Sequence, residues 1–314
     1  MMRTFRLATL AFGVAAFLSA AIAVADAQQR FKTPEQAADA LVAAARAGDR
    51  NTVTKLLGPG SADLISSGDP VQDANTRQEF LAAYDASHRV VTESGKPAIL
   101  VVGQTDWPFP IPIVEKDGEW QFDTAAGREE LLARRIGRNE LATIQTALAY
   151  FDAQNEYAEV TKDKNGMPVY AQRIFSNPGR KDGLYWPTAA GEPDSPLGEA
   201  VAEATRLGYR VGGGQIPYHG YYFKILTRQG PTAPGGALDY VVRGSMIGGF
   251  ALVAWPAQYG NSGVMTFLIN HQGDVYEKDL GPGTTRIAGG MTAFNPDHTW
   301  KKTVVTEETA KAAR

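Results

Sequence analysis

The chain has 314 residues, 44% of them hydrophobic, with 31 basic and 34 acidic side chains and no cysteine. That length accommodates two domains of ordinary size, and the mild acidity lacks the basic footprint of a nucleic-acid binder. The missing cysteine excludes disulfides, thiolate metal sites, cysteine nucleophiles and lipid attachment at a cysteine.

Residues 1–27 read as a cleavable secretory signal peptide. Arg3 and Arg6 give a positive start, Leu7 to Val24 is an apolar, Ala-rich run, and Ala25-Asp26-Ala27 is a small-x-small cleavage site before Gln28. A retained anchor is the competing reading, since the run approaches the length of a spanning helix. The cleavage-type ending and the absence of a basic stop-transfer cluster favour removal. Cleavage takes two of the 31 basic and one of the 34 acidic residues, leaving 29 against 33 and a net charge of −4. The expected location is periplasmic or secreted, with no membrane span after cleavage.

Thr33, Pro34 and Gln36 form a helix start, Ala37, Ala40, Leu41 and Ala44 share a face, and Gly48 ends the helix. Asp49 caps a second short helix, closed by Gly58-Pro59-Gly60. A third is expected from Thr76 to His88. Strands follow at Lys96–Val102 and Phe109–Glu115, then Trp120–Asp123 across the turn Lys116-Asp117-Gly118. The spacing of Leu131, Leu132, Ile136, Leu141, Ile144, Leu148 and Phe151 predicts a long helix from Ala125 to Tyr157, with Gly137 as a possible break. Residues 176–217 are rich in Gly and Pro. Residues 220–280 read as a β-meander: Tyr221–Leu226, Leu238–Arg243, Met246–Ala254, Ser262–Asn270 and Val275–Leu280. Gly248-Gly249 marks a bulge or a close backbone approach.

The expected fold class is α+β: helices plus a curved antiparallel, cone-like sheet, followed by a long helix packed on an antiparallel β-meander. The expected divisions are the signal at 1–27, a cone-like domain at 28–135, a helix-plus-sheet domain at 136–303 and a tail at 304–314. Helices followed by the hairpin from Val114 to Asp123 resemble the nuclear-transport-factor-2-like cone fold, a resemblance that places Trp120 inside the cone. A long helix leading into an antiparallel sheet is similar to the globular part of pilin-like proteins. Over nearly the whole mature chain, Asp152–Tyr157, Asp182–Pro187, Gly220–Lys224 and Asp239–Leu280 resemble an exported bacterial family, domain of unknown function 2950. That resemblance carries no established activity.

Motifs for catalysis or cofactors do not assemble. His88, His219, His271 and His298 are too far apart for a helical zinc motif. Gly260-Asn261-Ser262-Gly263 lacks nucleophile-elbow spacing. Gly212-Gly213-Gly214 and Gly95-Lys96-Pro97 lack the partners of a phosphate loop and read as turns. Thr161 to Gln172 lacks the first and last carboxylates of a calcium loop. Glu129 with Glu130, and Asp152 with Glu156, read as solvated helix faces. No cofactor is expected.

The most suggestive cluster is aromatic: Tyr218, Tyr221 and Tyr222 flank His219, and Trp255 and Tyr259 are expected in a loop between strands. Rings with polar tips are favoured where proteins meet partners, although aromatics also simply cover sheets. The leading expectation is a non-catalytic binding or assembly module meeting an envelope protein or a glycan. The alternatives are a periplasmic enzyme using the cone cavity, which a cavity filled by Trp120, Phe80 and Leu81 would exclude, and a pilin-like assembly component.

Overall fold

The computed structural model describes residues 28–210 and 216–303. The signal segment, the Gly212–Gly214 run and the C-terminal tail lie outside the described residues.

Helix α1 (Pro34–Ala47) starts as its sequence dictates. Thr33 Oγ1 accepts the Gln36 N–H at 3.3 Å, and Gly48 ends the helix with φ 65°. Asp49 caps α2 (Arg50–Leu57) through the Thr52 N–H. A short α3 (Ala62–Ile65) follows. Helix α4 (Pro70–Ala86) begins six residues earlier than its apolar spacing predicts, because Asp69 caps it and Pro70 fits its first turn.

Strands β1 (His88–Val91), β2 (Ile99–Val102) and β3 (Trp107–Pro108) form one antiparallel sheet. The hairpin of β4 (Ile113–Lys116) and β5 (Glu119–Phe122) turns at Asp117 and Gly118, both with positive φ, as a tight two-residue loop requires. A bridge between Ala98 and Ile113 links the hairpin to that sheet. Leu41, Leu56, Leu100, Ile111, Ile113 and Phe122 form the first core, with Trp120 at its margin.

Helix α5 (Thr124–Val160) is continuous through Gly137. A mid-helix glycine costs only about 1 kcal/mol against alanine, and packing on both sides offsets it. Leu131 and Leu132 touch the first core, while Ile144, Ala147, Tyr150 and Tyr157 enter the second. A further helix, α6 (Gly198–Arg206), lies inside the Gly/Pro-rich stretch.

In the second core, β6 (Tyr221–Leu226) leads to the short strands β7 (Arg228–Gln229), β8 (Leu238–Asp239), β9 (Val241–Val242) and β10 (Ser245–Met246), then to the central β11 (Ala251–Pro256). Strands β12 (Met265–Asn270) and β13 (Val275–Asp279), helix α7 (Thr284–Gly290), β14 (Ala293–Phe294) and β15 (Lys301–Lys302) complete the chain. The main sheet runs β15-β13-β12-β11-β6, antiparallel throughout. The fold is therefore mixed α+β, with the long helix on a meander. The expected strand Leu238–Arg243 breaks at Tyr240, and Met246–Ala254 divides at Gly248-Gly249. A Cβ on Gly248 would stand 2.5 Å from the Asp239 carbonyl oxygen, the close approach expected there.

A buried polar seam joins the two cores. Asp69, fully buried, accepts the Val71 and Gln72 N–H groups on one oxygen, both at 3.1 Å. Its other oxygen accepts the Tyr209 hydroxyl at 2.7 Å and the Gly220 N–H at 3.0 Å. The buried Asn139 accepts from Gln72 Nε2 at 2.7 Å and donates to the Ser262 carbonyl at 2.8 Å. Glu140 accepts the N–H groups of Val264 and Met265, both at 2.9 Å. This seam fixes the Tyr218–Gly220 turn at the start of β6, where His219 and Gly220 both have positive φ.

Candidate functional site

Beside β6 lies a cleft of about 840 Å³, within the size range of ligand sites. Ala149 of α5 forms part of its floor, Val201 and Ala204 of α6 and Phe175 form one wall, and β6 forms the other. Arg173, Arg210 and Lys224 line it, with no carboxylate among the described lining residues. Arg173 stands 3.8 Å from Asp182, and Lys224 Nζ donates to the Gly289 carbonyl at 2.6 Å.

The register of β6 decides which backbone groups face this cleft. The Ala257 N–H donates to the Gly220 carbonyl, and Tyr222, Lys224 and Leu226 follow at the period of two in the same ladder. In an antiparallel pair, alternate residues bond to one neighbour and the others point away. Tyr221 points outward and exchanges both its bonds with Tyr218. The N–H and C=O groups of Phe223 and Ile225 also point outward, and no backbone group among the described residues pairs with them. Both residues line the cleft. The opposite edge of the sheet is covered by β15, whose two residues are lysines, a common way of blunting an edge. Among the described residues no strand pairs with the β6 edge at Phe223 and Ile225.

The six residues singled out from the sequence do not form one surface. Tyr218 lines the cleft, with its ring edge-on to Tyr209 at 4.9 Å and against His219 at 4.2 Å. Burial lowers the His219 pKa below 6.5, partly offset by the Asp69 charge, and burial raises that of Tyr218. Tyr221 is fully buried, and its hydroxyl donates to the Met265 carbonyl at 3.0 Å. Trp255 is not in a loop: it is the penultimate residue of β11, 2% exposed, opposite Tyr222 at 5.8 Å between ring centres. Both rings lie toward α7, on the side where Lys224 reaches Gly289. Tyr259 sits apart, its hydroxyl 3.2 Å from Asp279. The cleft residues Phe175, Ala204, Tyr209 and Arg210 were not singled out, because only the strand order brings them beside Phe223 and Ile225.

Among the described residues no group of His, Asp and Glu is arranged to hold a metal ion, and no helix is long and apolar enough to cross a membrane. Thr161–Met167 is a turn built on Asp163, whose carboxylate accepts the Asn165 and Met167 N–H groups at 2.9 and 2.8 Å.

Fold and site together define an α+β protein in which, among the described residues, a sheet edge stands unpaired at the wall of a largely apolar cleft lined by Arg173 and Arg210. A family model described as "Protein of unknown function (DUF2950)" matches residues 28–303, and the chain belongs to that family. No curated protein and no solved structure matches it. The likenesses to the nuclear-transport-factor-2-like and pilin-like folds find no support in these matches.

Proposed function

We propose that this chain is a non-catalytic binding module of the cell envelope that takes an extended peptide segment of a partner by strand addition at β6. The observation that carries the reading is the unpaired main chain of Phe223 and Ile225 beside an apolar cleft. Main-chain bonds would supply affinity, and alternate side chains entering the cleft would supply specificity. Arg210 and Arg173, the latter shared with Asp182 at 3.8 Å, stand against no lining carboxylate and favour a segment carrying at least one acidic residue, while the Lys224 ammonium is turned to the Gly289 carbonyl on the α7 side. The export signal read at residues 1–27 supports the envelope location. Of the six residues singled out from the sequence, Tyr218 alone lines the cleft, beside the rings of Phe175, Tyr209 and Phe223.

The test is site-specific photo-crosslinking in intact cells. A photoreactive residue replacing Phe175, on the cleft wall, should give one recurrent adduct. The same residue replacing the exposed Ile287 on α7 should not. Ala204→Trp, which sets a large ring into the cleft, should weaken the adduct. Equal adducts from both positions would refute the site.

A further inference from the structure

A second cavity, about 330 Å³, opens beside the first core and is walled by Leu57, Leu64, Phe80, Phe109, Ile111 and Leu131. Phe80 forms part of the wall without filling the space, and Trp120 packs at the core margin, bridged to Phe31. Five arginines also line the cavity, Arg50, Arg77, Arg134, Arg135 and Arg138, against the single carboxylate of Asp73. That carboxylate is already engaged. It accepts the Ser66 hydroxyl at 3.1 Å and the Ser67 N–H at 3.0 Å, and stands 3.9 Å from Arg50. Arg134 pairs with Glu130 and lies 5.4 Å over the Trp107 ring, which is 41% exposed. Arg135 donates to the Asp63 and Leu64 carbonyls at 2.8 and 2.5 Å and to the Asn261 side chain, none of them a carboxylate. Arg77 and Arg138 form no salt bridge or side-chain hydrogen bond among the described residues.

An apolar cavity with a net positive lining suits a ligand with one apolar part and one anionic end. Guanidinium forks match a carboxylate in geometry as well as charge. We infer that this cavity binds a single-chain amphipathic carboxylate, its hydrocarbon part among the core residues and its head on the arginines. A space of about 330 Å³ suits a single short hydrocarbon chain. The inference rests on the first core and stands apart from the peptide cleft of the second.

Titration calorimetry of the purified protein with decanoate, decanol and decyltrimethylammonium tests it. Decanoate should bind one to one, with the other two weaker by about tenfold or more, the scale of one charge-assisted hydrogen bond. Arg77→Gln combined with Arg138→Gln should cost about tenfold or more in decanoate affinity without shifting the melting temperature. Leu131→Trp should remove binding by filling the space. The headgroup comparison needs no variant, so it decides the matter even if a substituted protein fails to fold. Equal binding of decanol, or no decanoate binding, would overturn the assignment. Association with phosphatidylglycerol vesicles without binding of free decanoate would also overturn it, giving the arginines to a membrane surface.

Discussion

Replacing Asp69 should weaken the buried seam that joins the two cores. In Asp69→Ala, α4 loses its cap, worth about 1 kcal/mol. The Tyr209 hydroxyl and the Gly220 N–H also lose their partner, at about 1–3 kcal/mol for each buried group left unpaired. Relief of the buried carboxylate's desolvation offsets part of this. The net loss should be about 3–5 kcal/mol, a fall of roughly 6–15 °C in melting temperature for a chain of this size. Asp69→Asn keeps the oxygen that caps α4 but sets an amide N–H against the Gly220 N–H. It should cost about 2 kcal/mol, clearly less than alanine. Thermal and urea unfolding of the two variants beside wild type is the assay. A loss below about 1 kcal/mol for Asp69→Ala, or equal losses for both variants, would refute the reasoning.

Gly220→Ala should destabilise by about 2–4 kcal/mol, measured by urea unfolding, because φ is 75° and the new Cβ would stand 2.6 Å from Asn139 Nδ2. Trp255→Ala should cost about 3–5 kcal/mol of stability, so any loss of binding should track unfolding in a combined melting and cross-linking series. His219 and His271 both have pKa values lowered mainly by burial. The unfolded chain therefore takes up protons first as pH falls through the ordinary value of 6.5, and stability present at pH 7 declines below it. His219→Asn, which tolerates the positive φ, should flatten the stability–pH curve between pH 7 and 5, measured by unfolding at each pH.

Much of the local structure was legible because single residues carry it. Thr33 and Gly48 bound α1, Asp117-Gly118 sets the β4–β5 turn, and Gly248-Gly249 marks the close approach to Asp239. The cap at Asp69 is hard to see in the sequence, since Gly68-Asp69-Pro70 has the composition of a turn and the apolar spacing of α4 becomes clear only later. Trp255-Pro256 read as a loop for a similar reason. Pro256 is tolerated at the end of β11 because its missing N–H falls where pairing with β12 has already ceased at Ala254. Both faces of β11 are covered, by α5 and α7, so its buried run lacks the alternation that marks a half-exposed strand. The candidate cleft depends on β6 being an edge strand. That is a property of strand order, set by contacts far apart in the chain, and no local pattern encodes it.

The most direct test of strand addition is residue-resolved amide exchange on the protein bound to a peptide selected from a random display library. The account predicts that the Phe223 and Ile225 N–H groups gain strong protection while those of Lys224 and Leu226, already in the ladder, change little. Tight peptide binding that leaves Phe223 and Ile225 unprotected would contradict it.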